Sequence, residues 1–242
     1  MSRPEIKARS TYLLYLTRPH PYLISFLFVI LLQLISIISL QVGGQPFEMD
    51  MTAMAAGDTA NAIHFSPENV RLKATGFLLA LEIVAAMLRY GFMSFHLHAA
   101  RRENVSYYDL MDGFMLFFRA AALWLITGIM VYIGLLLLIV PGVYLAITYA
   151  MAPRLMFDHS DWGVFRCLAE SRRLMTGNRW DFFKLRVSLL GWTILTAFPF
   201  TAVFAEPFIT MCDTVYYLYL IRDPALEFTE SSPPDEKPPW EY

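Results

Sequence analysis

The sequence predicts an all-α, polytopic bundle of about six transmembrane helices, and two observations indicate this fold class. Of the 242 residues, 57% are hydrophobic and only 17% are charged, whereas soluble domains contain roughly 45–50% apolar and 25% charged residues. The apolar residues also fall into runs of about 20, the length of a helix that crosses ~30 Å of hydrocarbon. We therefore expect this chain to fold within a lipid bilayer.

Six apolar segments are candidate spans. They comprise residues 22–40, 74–97, 114–140, 143–157, 182–204 and 207–221. The third ends at Pro141-Gly142, a pair that cannot continue a helix and readily turns it, and Pro199 is expected to kink the fifth. Because the fourth and sixth segments are shorter than a full span, each is either a tilted member of a helical hairpin or a re-entrant piece.

Two terminal regions flank this bundle of residues 22–221. Residues 1–21 form a basic leader, and residues 222–242 form an acidic, proline-rich tail. Such a tail cannot bury enough apolar surface to fold alone, so we expect it to be disordered. A basic leader before an apolar run is also typical of a signal peptide, but this run is too long for one.

Lysine and arginine predict the orientation, because cytoplasmic loops retain them. If both termini lie inside, 16 of the 19 lysines and arginines are cytoplasmic and two are external. The loop of residues 43–73 is then external, and the loop of residues 158–181 is cytoplasmic. We predict a multi-pass protein of the plasma membrane with both termini in the cytoplasm.

The inner loop contains an amphipathic pattern from Asp161 to Thr176. Apolar or small residues recur at spacings of four, three and four, namely Val164, Leu168, Ser171 and Met175. Ser160 is expected to cap the start of this cytoplasmic amphipathic helix and Gly177 its end. A packed connector and a helix at the headgroup boundary share this pattern, so both interpretations stay open.

We take four charged residues in or beside the predicted spans as candidates: Glu82, Arg89, Glu206 and Asp213. A charge at the bilayer centre costs about 2.5–3.5 kcal/mol on insertion scales, so each is a candidate functional residue. Glu82 and Arg89 are seven residues apart, and so are Glu206 and Asp213, which places both members of each pair on one helix face. We expect one arginine to lie among acidic groups from two helices. It would belong either to a structural ion pair or to a polar pathway for an ion, a proton or a lipid headgroup.

Basic residues at the inner end of the second span and in the inner loop predict contacts with anionic lipid headgroups. They are His96, His98, Arg101, Arg102, Arg172 and Arg173. Because His96 and His98 are two residues apart, they point roughly 200° apart on a helix, and one ion cannot easily bind both. With no third ligand at a suitable spacing, the sequence predicts no metal site and no cofactor.

Charge and cysteine content exclude two classes of protein. A net charge of -2 provides no basic surface for nucleic acid. The two cysteines, Cys167 and Cys212, are too few for the disulfide framework of a small secreted protein, and we expect both to be free thiols. The expected partners are membrane lipids, with another membrane protein or a second copy of the chain as further candidates.

The sequence contains no HExxH, GxSxG or glycine-rich phosphate motif, so we predict a protein without catalytic activity. The leading interpretation is an accessory or scaffold component of a transport or export system, or a small lipid or solute pathway. A stand-alone channel or transporter would instead require that Glu82, Arg89 and Asp213 converge on a hydrated cavity. A membrane enzyme acting on lipid would require a cluster of titratable groups at one interface, for example His96, His98, Asp109 and Asp112.

The second half of the chain resembles one family of membrane proteins. The likeness begins with Leu-Leu-Leu-Leu-Ile-Val-Pro-Gly-Val at residues 135–143. It continues through Tyr149, Ala150, Met151, Ala152, Asp158, Ser171, Leu174, Met175, Gly177, Trp180, Phe183, Leu185, Ser188, Gly191, Trp192, Tyr216 and Tyr217. In this order the residues resemble the domain-of-unknown-function family 975, polytopic proteins found mainly in Gram-positive bacteria. The resemblance implies a helical fold in a bacterial plasma membrane and implies no activity.

Overall fold

A computed structural model of the protein describes residues 2–18, 20–43, 47–49, 63–65 and 68–224. These residues form eleven helices and one pair of short strands. The helices are α1 (Arg3–Leu16), α2 (Pro21–Gly43), α3 (Glu68–Ala100), α4 (Asp112–Met115), α5 (Phe117–Leu137), α6 (Ile139–Thr148), α7 (Ala152–Asp158), α8 (Val164–Met175), α9 (Arg179–Ser188), α10 (Leu190–Leu195) and α11 (Pro199–Ile221). A 3-10 turn, Tyr107–Met111, precedes α4.

The strands β1 (Phe47–Met49) and β2 (Ile63–Phe65) pair antiparallel, with Phe47 opposite Phe65. These strands depart from the predicted all-α fold. The regular structure in the rest of the described chain is helical, as predicted. The chain divides into two compact units. Ile30–Ala85 forms the smaller unit, which includes the strands, and the larger unit comprises Met1–Val29 and Ala86–Tyr242. The predicted acidic tail lies outside the described residues after residue 224, as does most of the predicted external loop.

Four helical segments are long and apolar enough to cross a membrane: Pro21–Ser39, Gly76–Ala100, Phe117–Leu137 and Ile139–Asp158. They correspond to the first four predicted spans. Only between 17% and 39% of each segment is buried, and large side chains such as Leu136 and Val140 are more than two-thirds exposed. Because leaving so much apolar surface in water is unfavourable, these helices indicate a membrane-associated protein.

In the region of the fifth and sixth predicted spans, the helices begin and end at other residues than predicted. The expected helix of residues 182–204 is interrupted at Leu189 and again before Pro199. Phe198 is extended, with φ -105° and ψ 126°, because a proline disfavours the helical conformation of the residue before it. Pro199 therefore begins α11 instead of kinking a span, and Pro207 lies inside α11. Neither predicted segment is among the four membrane-length helices.

The helices α5 and α6 fold back on each other at Leu138, which is extended with φ -164° and ψ 151°. The turn thus precedes Pro141-Gly142, where we expected it. Pro141 occupies the first turn of α6, where its missing N–H costs no helical hydrogen bond. A Cβ at Gly134 would lie 2.9 Å from the Gly142 Cα atom, and a Cβ at Gly142 would overlap the Leu135 side chain. Both glycines are therefore needed for this close approach.

The basic leader contains a helix that the sequence analysis did not predict. Ser2 and Glu5 form a capping box at the start of α1. The helix buries Ile6, Ser10, Leu13 and Leu14 and packs against α11. Lys7 Nζ donates a hydrogen bond of 2.9 Å to the Ser188 carbonyl oxygen at the end of α9. The leader is therefore part of the folded larger unit.

The inner-loop pattern corresponds to α8. Its buried side contains Cys167, Leu168, Ser171 and Met175. The N-cap is Gly163 and not Ser160, whereas Gly177 has the positive φ of 86° expected just after a helix end. Phe165 of α8 and Trp180 of α9 are each about two-thirds exposed or more.

Replacing Gly142 by alanine tests the contact between α5 and α6. We expect a lower melting temperature in detergent, because the new Cβ would push against Leu135 and overpacking costs about 1–3 kcal/mol. Gly128→Ala in α5 is the matched control, since nothing lies within 4 Å of its Cβ position and alanine favours a helix over glycine by roughly 0.5–1 kcal/mol. A Gly142→Ala variant as stable as Gly128→Ala would contradict the close packing.

Candidate functional site

An aspartate and an arginine are buried together in the larger unit. Asp213 of α11 and Arg154 of α7 are only 3% and 2% exposed. The Asp213 Oδ2 atom lies 3.5 Å from Arg154 Nη2 and 2.6 Å from Nη2 of Arg186, a residue of α9 that is partly exposed. Asp213 Oδ1 has no hydrogen-bond partner among the described residues. This ion-pair cluster of Arg154, Arg186 and Asp213 connects three helices.

Further contacts fix the Arg154 guanidinium group. Its Nε atom lies 3.5 Å from Thr214 Oγ1, and its Nη1 atom donates to the Ala150 carbonyl oxygen at 3.3 Å. An arginine thus lies beside a buried acid, as the sequence analysis expected, but it is Arg154 and not Arg89. Arg154 is one of the 16 lysines and arginines assigned to the cytoplasm, although it lies near the end of the fourth predicted span. Its position inside an otherwise apolar segment was the signal that could have identified it.

The other three intramembrane charges are not part of this cluster. Arg89 is exposed and Glu206 is half-buried, both in the larger unit, and Glu82 is exposed in the smaller unit. Neither Glu82 nor Arg89 is therefore buried. A spacing of seven puts two residues on one helix face, but it does not determine which face the neighbouring helices cover.

A second ionic network joins the end of α3 to α7 and α11. The Arg101 Nη1 atom lies 2.5 Å from Asp158 Oδ1, and its Nε atom lies 2.9 Å from Asp223 Oδ2. The Tyr217 hydroxyl donates to the other Asp158 oxygen, Oδ2, at 2.7 Å. Arg101 was predicted to contact lipid headgroups, but here it holds two carboxylates within the protein. Its arrangement is that of a structural ion pair.

The remaining residues predicted to contact headgroups differ in how deeply they are buried. His96 is fully buried, with its Nδ1 atom 2.7 Å from the Phe92 carbonyl oxygen, so the prediction that it contacts headgroups is wrong. Arg102, Arg172 and Arg173 are exposed, and Arg173 pairs with Glu170 on α8. These exposed arginines remain accessible to headgroups.

Three of the four residues named for a lipid-acting enzyme meet, namely His98, Asp109 and Asp112. Each offers one ligand atom within 4.8 Å of the other two, and His98 Nδ1 lies 3.7 Å from Asp109 Oδ2. His96 is not part of this group. The chain reversal after α3 brings the acidic residues to His98, and spacing along one helix could not have revealed this.

Two glycines allow the turn after α3 to lie directly on that helix. A Cβ at Gly91 would overlap the Leu110 carbonyl oxygen, and a Cβ at Gly113 would overlap the Met87 carbonyl oxygen. This backbone contact positions Asp109 and Asp112 beside the last turn of α3. Burial raises the pKa of the Asp112 carboxyl, and the charge of Asp109 raises it further.

Both cysteines are buried and free, as predicted. Burial raises the pKa of the Cys167 thiol, so at neutral pH this residue is a protonated thiol and a poor nucleophile.

Asp213→Asn tests the ion-pair cluster, because it leaves Arg154 buried without its counter-charge. We expect the free energy of unfolding to fall by about 3–5 kcal/mol, measured by thermal unfolding in detergent. Glu170→Gln, which removes the exposed partner of Arg173, is the control and should change stability little. The double variant Arg154→Met/Asp213→Leu should recover most of the loss, since apolar replacement of a buried pair is often neutral. Equal stability of Asp213→Asn and Glu170→Gln would contradict the cluster.

The comparisons with known proteins identify one family. Residues 119–223 match the model of the family described as "Protein of unknown function (DUF975)", which confirms the resemblance noted from the sequence. All three residues of the ion-pair cluster lie inside this range, whereas His98, Asp109 and Asp112 precede it. No curated protein and no solved structure matches the chain. The segment of residues 119–223 is therefore similar to the DUF975 family of proteins of unknown function.

Proposed function

We propose that the protein is an integral membrane component without catalytic activity of its own. It would act as an accessory or scaffold of a transport or export system, or form a small lipid or solute pathway. The observation that carries this proposal is the closed pairing of Asp213 with Arg154 and Arg186. A stand-alone conduit needs polar groups that face a continuous hydrated path, whereas here the buried carboxylate is engaged by counter-charges.

The proposal includes a plasma-membrane location, about six crossings and cytoplasmic termini. Its support is the apolar surface of the four membrane-length helices together with the concentration of lysine and arginine in the predicted inner loops. Arg154 no longer counts as a loop charge, since it is buried against Asp213, but the inner loops keep their excess without it. In this topology α8 is the cytoplasmic amphipathic helix.

Lipid contact is supported by a cleft of about 130 Å³ near the ends of α1 and α3. Arg18 and Arg102 both line this cleft, beside Glu103 and the apolar side chains of Leu13 and Leu16. Two guanidinium groups in one cleft suit an anionic oxygen group such as a lipid phosphate. The exposed Phe165 and Arg172 on α8 suit the same headgroup region.

A second candidate function, a membrane enzyme acting on lipid, is favoured by one observation. His98, Asp109 and Asp112 converge at the end of α3, which is the clustering that this function requires. An imidazole beside two carboxylates can serve in proton transfer. The candidate is weaker than the first, because the fourth expected member, His96, is buried elsewhere.

Reconstitution into liposomes tests the accessory proposal against a stand-alone channel or transporter. We expect the purified chain alone to produce no flux of ions or small solutes above that of empty liposomes. We also expect it to retain a protein or lipid partner through affinity purification in mild detergent. Flux that changes in the Asp213→Asn variant would contradict the proposal, and so would purification as a lone monomer without bound lipid.

Cysteine labelling tests the orientation. In a chain with Cys167 and Cys212 replaced by alanine, a membrane-impermeant maleimide added outside cells should label Ala56→Cys and leave Asn104→Cys unlabelled, because only the loop of residues 43–73 is external in this topology. Permeabilised cells, in which both sites should react, are the control. Labelling of Asn104→Cys in intact cells would overturn the proposed orientation.

A further inference from the structure

We propose that His98, Asp109 and Asp112 form a binding site for one divalent transition-metal ion of the Zn²⁺ or Mn²⁺ type. The three side chains come from two separate parts of the fold, the last turn of α3 and the turn that leads into α4. One ligand atom from each lies within 4.8 Å of the other two. This inference does not depend on the proposed function, since either an accessory protein or an enzyme can hold a metal ion.

The distance between two of the ligand atoms is close to that of an occupied site. Nitrogen and oxygen ligands lie about 2.0–2.2 Å from Zn²⁺, so two ligand atoms of a tetrahedral site are roughly 3.4 Å apart. The His98 Nδ1 atom and the Asp109 Oδ2 atom are 3.7 Å apart. This pair is thus close to the spacing of an occupied site, and the other two ligand distances are at most 4.8 Å.

The chemistry of the ligands selects the class of ion. Mg²⁺ and Ca²⁺ prefer sites made of oxygen atoms, whereas an imidazole nitrogen favours transition metals such as Zn²⁺. Carboxylates also suit Mn²⁺. Two carboxylates balance the charge of a divalent ion, and an ion between Asp109 and Asp112 would relieve the repulsion between them.

Hydrogen bonds from outside the ligand set hold both carboxylates in place. The Ser94 hydroxyl donates to Asp112 Oδ2 at 2.9 Å, and the Ser106 backbone N–H donates to Asp109 Oδ2 at 3.1 Å. Such outer partners orient metal ligands. The backbone contacts at Gly91 and Gly113 add a rigid frame, because they fix the turn against α3.

The site is accessible to an ion and is incomplete with protein ligands alone. The side chains of His98 and Asp109 are 35% and 18% exposed, so an ion can enter from solution. Three protein ligands leave at least one coordination position for water or for an oxygen atom of another molecule. Glu103 is a further neighbour, with its carboxylate 3.9 Å from His98 Nε2, on the other side of the imidazole ring.

Metal titration of the full-length chain tests the proposal. The chain is purified in detergent, treated with a chelator, dialysed, and titrated with ZnCl₂ or MnCl₂ alone in a calorimeter. We expect one ion to bind per chain and to raise the melting temperature, because a ligand that binds only the folded state stabilises it. His98→Ala and Asp112→Asn should lose this stoichiometric binding, and Ser94→Ala should weaken it about 10- to 100-fold.

His159→Ala is the matched control. His159 is also a partly exposed histidine, but it lies 4.0 Å from the single carboxylate of Asp158. We expect this variant to bind metal as the wild type does. Three outcomes would overturn the proposal: neither ion binds at about one per chain, binding is unchanged in folded Asp112→Asn and Ser94→Ala, or His159→Ala abolishes it. Because Ser94→Ala leaves all three ligands intact, it keeps the test decisive if His98→Ala does not fold.

Discussion

The structure depends on a solvent in which apolar helix surfaces can remain uncovered. In each of the four membrane-length segments, at most 39% of an apolar 18-residue window is buried inside the protein, and no water-exposed fold tolerates so many open aliphatic and aromatic side chains. A bilayer solvates these surfaces and also requires every backbone polar group to be satisfied internally, which a helix does by itself. Helix–helix contact must then come from close packing and polar pairing, because lipid is as apolar as the side chains. The contact of Gly134 with Gly142 is an example of such packing.

Ion pairs are the second kind of contact between helices in the larger unit. The ion-pair cluster connects α7, α9 and α11, and Arg101 connects the end of α3 to Asp158 and Asp223. Charges of this kind are costly to bury alone, but in pairs they specify which helices meet and in what register. The cluster lies wholly in the segment matched to the DUF975 family. The pairing of Asp213 with Arg154 and Arg186 is the observation on which the proposed accessory role rests.

The turn after α3 packs closely against that helix and also carries two of the three proposed metal ligands. Gly91 and Gly113 permit backbone contact between the turn and α3, and the same contact brings two carboxylates to the exposed edge of His98. A metal ion there would join the end of a membrane-length helix to the segment that leads into α5. The proposed site lies outside the family-matched segment. This separation means that the role of the family segment and the role of the turn can be examined independently.

The sequence alone determined the helical membrane architecture, the first four apolar segments and the two free thiols, because these follow from composition and local periodicity. Some local details were also accessible, such as the end of α8 near Gly177. Only the tertiary structure decided which charges meet. Arg154, and not Arg89, pairs with Asp213, and His98 meets Asp109 and Asp112 rather than His96. The docking of α1 on α11 and the break before Pro199 were likewise missed. The physical reason is that periodicity assigns residues to helix faces, whereas the faces that are covered depend on contacts between residues far apart in the chain.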